Sequence, residues 1–88
     1  NEDPKSLFQE WAQSQGYSAP QYVTKNSFGP DHSKVFEVEV VLNGNSFGTG
    51  QGHSKQAAAK AAANYALINL GVIEDKLTDP DSFKLNGV

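Results

Sequence analysis

The stretch from residue 35 to residue 46, VFEVEVVLNGNS, limits what this chain can fold into more than any other. Phe36, Val38, Val40 and Leu42 alternate with residues that include Glu37 and Glu39, which is the period of a strand with one apolar and one wet face. Asn43-Gly44 follows directly, and that pair tolerates the positive φ angles a two-residue hairpin turn requires. Residues 35–42 are therefore predicted to fold back antiparallel on the strand that follows. A register fixed by the turn places Phe47 opposite Val40 on the core face. Gly48, Gly50 and Gly52 are expected to loosen the end of that third strand.

One apolar sheet face has to be covered. Helical patterns flank the strands on both sides. Residues 4–15, PKSLFQEWAQSQ, carry Leu7, Phe8, Trp11 and Ala12 on one face, with Asp3 as N-cap, Pro4 at the first position and Gly16 as the stop. A loop over 17–20 leads to a short strand at 21–26, QYVTKN, and then to a Gly29-Pro30 turn. Ser54 is the expected N-cap of a long helix reaching about Leu70, ended by Gly71. Its buried stripe is read as Ala58, Ala61, Ala62, Tyr65 and Ile68, with Lys55, Gln56, Lys60 and Asn64 on the wet side. Small alanines let a helix lie close on a sheet. The fold class is α+β in the order α-β-β-β-α, a three-stranded antiparallel sheet with both helices on one face. Residues 1–3 are read as a linker from an upstream region and 4–71 as the domain. Residues 72–88 are read as a largely flexible tail, anchored briefly by Val72 and Ile73.

Composition bounds the chemistry. The chain has 88 residues, one small domain, and no Cys, so no disulfide framework or thiolate metal site is available. No apolar run approaches the roughly 20 residues that span a bilayer. The start, Asn1-Glu2-Asp3-Pro4, lacks signal-peptide features and an initiator Met, so it reads as a piece of a longer protein, with a cytoplasmic location as the default. The net charge of -3 argues at first against a nucleic-acid partner. From Pro4 to Leu70, however, five lysines face four carboxylates, a local charge of +1. The remaining acids collect at the two ends, and local field matters more than the total.

Four segments together resemble the double-stranded RNA-binding domain, most of all the copy at the C-terminus of bacterial-type ribonuclease III. They are PKSLFQEWAQ, PQYVT, GPDHSKVFEVEV and GTGQGHSKQAAAKAAANYAL, in that order, within residues 4–71. The resemblance implies three contact regions for duplex RNA. Gln9 and Gln13 on the first helix would meet one minor groove. His32, following Gly29 and Pro30, would enter the next. Lys55, with His53, Ser54, Gln56 and Lys60, would straddle the major groove and hold phosphates. The physics is compatible: A-form RNA offers a shallow minor groove rich in 2′-hydroxyls, and a helix N-terminus already favours phosphate. Of the cations usual at that helix start only Lys55 is in place, and the chain has no Arg, hence no bidentate phosphate fork. Weak to moderate binding by the isolated domain is expected.

Each of these residues also has a plain reading. Gln9 and Gln13 suit any solvated helix face, His32 any surface loop, and Lys55 any helix end, although a cation there opposes the dipole. Trp11 and Tyr65 have the spacing of core residues. Asp31, His32 and His53 lack the spacing and number of a metal site, and scattered carboxylates such as Asp79 and Asp81 offer no catalytic pair. No catalytic residue, cofactor or small-molecule substrate is therefore expected in this chain. The resemblance implies a Mg²⁺-dependent endoribonuclease parent, a homodimer whose nuclease domain lies upstream, with this chain a monomer when isolated. Two other readings stay open: a protein–protein module of the same fold, or the same domain in another parent such as an RNA-editing deaminase or a ribosomal protein.

Overall fold

A computed structural model describes residues 3–75. The order is α1 (Pro4–Ser14), β1 (Gln21–Phe28), β2 (Val35–Leu42), β3 (Asn45–Gly52) and α2 (Lys55–Asn69), with a single 3₁₀ turn at Asp31–Ser33. The sheet is antiparallel throughout, in spatial order β1-β2-β3. Phe8 and Ala12 of α1, Val40 and Leu42 of β2, and Ala62, Ala63, Ala66 and Leu67 of α2 form one core, so both helices cover the same sheet face. The expected class and order are those observed. Of the flexible tail expected over 72–88, residues 76–88 lie outside the described residues.

Local chemistry explains where the elements begin and end. The Asp3 carboxylate accepts the Lys5 N–H at 3.1 Å, and the Ser54 hydroxyl accepts the Ala57 N–H at 3.0 Å. Both helices stop in the same way. Tyr17 N–H donates to the Ala12 carbonyl and Gly16 N–H to that of Gln13, while Val72 donates to Leu67 and Gly71 to Ile68. These paired bonds need a left-handed residue after the helix, supplied by Gly16 at φ 86° and Gly71 at φ 76°. Asn43 at φ 52° and Gly44 at φ 80° close the β2–β3 hairpin in the mirror-image turn that matches strand twist.

Several expectations need correction. Leu42 pairs with Asn45 and Val41 with Ser46, as a two-residue turn requires, but Val40 pairs with Gly48. Phe47 is thus an extra residue in a bulge, not the partner of Val40. The bulge turns its ring toward Phe8, Trp11 and Tyr17, whose centroids lie 5.9–6.0 Å away. β1 runs two residues past the expected end at Asn26, because a second bulge between Thr24 and Asn26 lets Ser27 and Phe28 pair with Phe36 and Val35. The buried stripe of α2 is Ala58, Ala59, Ala62, Ala63, Ala66 and Leu67. It is rotated from the expected one, and Tyr65 is 50% exposed rather than core. With alanines on most sides, periodicity alone does not fix which face turns inward.

The glycines of β3 do not loosen the strand. All three are paired with β2. A Cβ on Gly50 would overlap the Ala62 backbone nitrogen and come within 2.7 Å of the Ala58 carbonyl oxygen. One on Gly52 would come within 2.8 Å of the Ala57 methyl and the Ala58 nitrogen. Glycine on the strand and alanine on the helix together set how near α2 lies.

Gly50→Ala is expected to destabilise the domain by about 3 kcal/mol or more, because the atoms in the way are backbone and cannot swing aside. Gly16→Ala meets no atom within 4 Å and should cost only the left-handed penalty of about 1–2 kcal/mol. Urea unfolding of the two variants checks the order.

Candidate nucleic-acid interface

α1 buries Phe8 and Ala12, so Gln9 and Gln13 project from its exposed face. The structure separates them. Gln9 lines a hollow of about 430 Å³ together with Asp3, Lys5, Ser6, Pro20, Tyr22, Gln56 and Lys60. Gln13 stands outside it. Residues that the sequence assigned to two separate arms, Gln9 on one helix and Gln56 and Lys60 on the other, therefore share one concavity.

The second concavity forms at the opposite end of the first turn of α2. Gly29, at φ 93°, turns the chain out of β1, and Pro30 accepts the Ser33 N–H at 2.9 Å to close the 3₁₀ turn. His32 is exposed on that turn. Asp31, His32, Ser33, Lys34, Phe36 and His53 line an open hollow of about 670 Å³. His53 Nδ1 lies 3.2 Å from the Lys34 carbonyl. A carbonyl only accepts, so Nδ1 is the donor in this contact. This bond ties the turn before α2 to the loop between β1 and β2.

Lys55 opens α2 directly after the Ser54 cap, where the leading backbone N–H groups have no intrahelical acceptor. Its Nζ sits 5.9 Å from the centroid of the Phe36 ring, which also lines the His32 hollow. The start of α2 thus borders both concavities, with Lys55 toward the loop and Gln56 and Lys60 toward α1.

Electrostatics separates the described lysines. Lys25 pairs with Glu39 at 3.5 Å, Lys34 with Asp31 at 3.6 Å and Lys60 with Asp3 at 3.6 Å. Lys5, 5.0 Å from the centroid of the Tyr22 ring, and Lys55 have no ion pair among the described residues. Glu39 is held below its ordinary pKa first by the Ser46 hydroxyl and then by Lys25, against an opposing effect of burial. Burial first, and the Asp3 charge second, push the Tyr22 phenol up to about 12, so it stays a neutral hydroxyl. Among the described residues no three His, Cys, Asp or Glu side chains are grouped to hold a metal ion. No helix among them is long and apolar enough to cross a membrane.

Sequence reasoning missed Lys5, Tyr22 and Phe36. Lys5 was within reach, since it lies one helical turn before Gln9. The parts of Tyr22 and Phe36 depend on contacts between elements.

A family model described as double-stranded RNA binding motif matches residues 4–70. The chain belongs to that family. Ribonuclease 3 of Caulobacter vibrioides is 48% identical over 69 residues, which is 78% of this chain and 30% of that protein. Ribonuclease 3 of Azorhizobium caulinodans is 44% identical over 73 residues, 83% of this chain and 31% of that one. The chain thus spans under a third of the length of these relatives. Among solved structures, Arabidopsis HYL1 superposes with a TM-score of 0.67 at 32% identity, over 80% of this chain and 99% of that one. The second dsRBD of DRB4 gives 0.56 at 32% identity, over 76% and 93%. In this double-stranded RNA binding motif, then, the two concavities lie on either side of one helix start.

The Ser54 cap sets the direction of the first turn of α2 and therefore of Lys55. Ser54→Ala should lower the unfolding free energy by about 1 kcal/mol in urea titration, and Ser54→Asp should restore most of it.

Proposed function

We propose that this chain grips double-stranded RNA by shape, as the substrate-binding module of a ribonuclease III acting in RNA processing. The observation that carries the reading is the placement of exposed polar side chains on one rigid frame. Gln9 and Gln56 meet at one hollow, His32 and His53 at another, and Lys55 stands between them. Gln and His supply donors and acceptors for 2′-hydroxyls and base edges in the two minor grooves. Lys55 and the open N–H groups of α2 face the phosphates across the major groove. As is general for such domains, the footprint is roughly 16 base pairs with little sequence reading.

In this reading cleavage and its Mg²⁺ chemistry are assigned to a separate nuclease domain of the parent; among the described residues no three His, Cys, Asp or Glu side chains are grouped to hold a metal ion. In a homodimeric parent, a tethered duplex grip raises the effective concentration of substrate at the catalytic core. The competing reading is a protein–protein module. It draws on one observation, that three of the five described lysines are already paired with carboxylates.

A titration with a 20-base-pair duplex, about one footprint long, separates the two. Duplex RNA should bind more tightly than duplex DNA of the same sequence, and two perfect RNA duplexes of different sequence should bind alike. Equal affinity for RNA and DNA, or no binding of either, would remove the reading.

Lys55→Ala should fold normally, since the residue is exposed and Ala is the better helix former. Its affinity for duplex RNA should fall, and the log–log salt slope should flatten by about one unit or less. His32→Ala should weaken binding with the slope nearly unchanged, because in this reading its imidazole contacts 2′-hydroxyls and base edges and neutralises no phosphate. Fluorescence anisotropy across a salt series checks both.

A further inference from the structure

The hollow between α1, β1 and α2 holds more charge than minor-groove reading needs. Lys5 and Lys60 reach it from two different helices, and Ser6, Gln9 and Gln56 add neutral donors and acceptors. Asp3 lies among them. One of its carboxylate oxygens is 3.6 Å from Lys60 Nζ, and the other accepts the Lys5 backbone N–H at 3.1 Å. The hydroxyl of Tyr22, another lining residue, is shielded from solvent and has no hydrogen-bond partner among the described residues. The Lys60 ammonium paired with Asp3, a second lysine, Lys5, lining the same hollow with its Nζ 5.0 Å from the Tyr22 ring centroid, and the unmatched Tyr22 hydroxyl make an anion seat that an internal carboxylate already fills.

We propose that this hollow is a seat for a backbone phosphate of duplex RNA, which Asp3 occupies in the free chain and yields when RNA docks. The proposal rests on the duplex-RNA reading above. A backbone phosphodiester presents one negative charge on two non-bridging oxygens, as a carboxylate does, so the two compete for the Lys60 ammonium, and the phosphate can also reach Lys5 and the Tyr22 hydroxyl. Lys60 is 53% and Asp3 38% exposed at their side chains, so the pair is weak enough to exchange. Asp3 must also keep its bond to the Lys5 N–H, which caps α1. The carboxylate can therefore swing from Lys60 without unfolding the helix. Asp3 thereby sets the affinity of a site it does not read.

Asp3→Asn is the direct test, because Asn keeps the cap and removes the charge. Binding to a 20-base-pair RNA duplex at about 0.1 M salt is compared for the parent, Asp3→Asn, Lys60→Ala, the double variant, and Glu37→Gln as a charge control. Glu37 stands across the sheet beside Asn26, away from the hollow. Asp3→Asn should bind roughly three- to fivefold tighter, the scale of an exposed ion pair. Its salt slope should steepen by up to about one unit. Glu37→Gln should stay within about twofold of the parent, since a distant charge is screened. The gain should vanish in the Lys60→Ala background. The seat is overturned if Asp3→Asn gains no more than Glu37→Gln, or if its gain persists without Lys60. Should Asp3→Asn melt early, Asp3→Ser supplies a second neutral cap. A parent that binds duplex RNA while Asp3→Asn brings no gain sinks the seat alone. Absence of binding in the parent and in Asp3→Asn alike sinks the function reading and the seat together.

Discussion

The close approach of α2 to β3 is the contact on which the rest of this structure depends. Helix and strand meet backbone to backbone at Gly50 and Gly52, with Ala58 and Ala62 above them. At these two glycines no side chain of the strand stands between it and the helix, so the spacing there is set by atoms that have no rotamers. A small core gains much from this, because dispersion falls off steeply with any gap. Once α2 is seated, the Phe8–Ala12 face of α1 has a fixed partner, and the aromatic group of Phe8, Trp11, Tyr17 and Phe47 closes the end of the core.

The same contact places the site. The N-terminus of α2 comes to rest beside the loop between β1 and β2, where the His53–Lys34 bond fixes the two together. It also comes to rest beside the start of α1, where Lys60 meets Asp3. The proposed reading of duplex shape needs its contact groups held at fixed separations, and those separations are inherited from the helix–sheet layer. The loop residues themselves carry little packing. Their position comes from the frame on which they stand.

Charge in this domain is local and mostly spent inside the molecule. The acidic balance of the chain conceals a middle section with a slight positive excess, and within that section pairing again decides which cations are available. Lys55 stands without a carboxylate among the described residues, and Lys60 does not. Counting basic residues along the chain would rank the two equally. Distances between elements separate them.

Much of this was legible in the sequence. The alternation of Phe36, Val38, Val40 and Leu42, the Asn43-Gly44 turn, the Asp3 and Ser54 caps and the Gly16 and Gly71 stops are local instructions, and local geometry obeys them. They determined the order of elements, the hairpin and which faces of α1 are wet. Tertiary structure decided what depends on two elements at once. The bulge leaves Phe47 unpaired in the ladder, with its ring packed against Phe8, Trp11 and Tyr17 instead of across from Val40. The rotation of α2 that leaves Tyr65 half exposed arises because a near-uniform alanine surface has no preferred face until glycines offer it a groove. The meeting of Gln9 with Gln56 and Lys60, and of His32 with His53, has the same cause: residues far apart in the chain become neighbours only when backbones pack, and no local pattern encodes that distance.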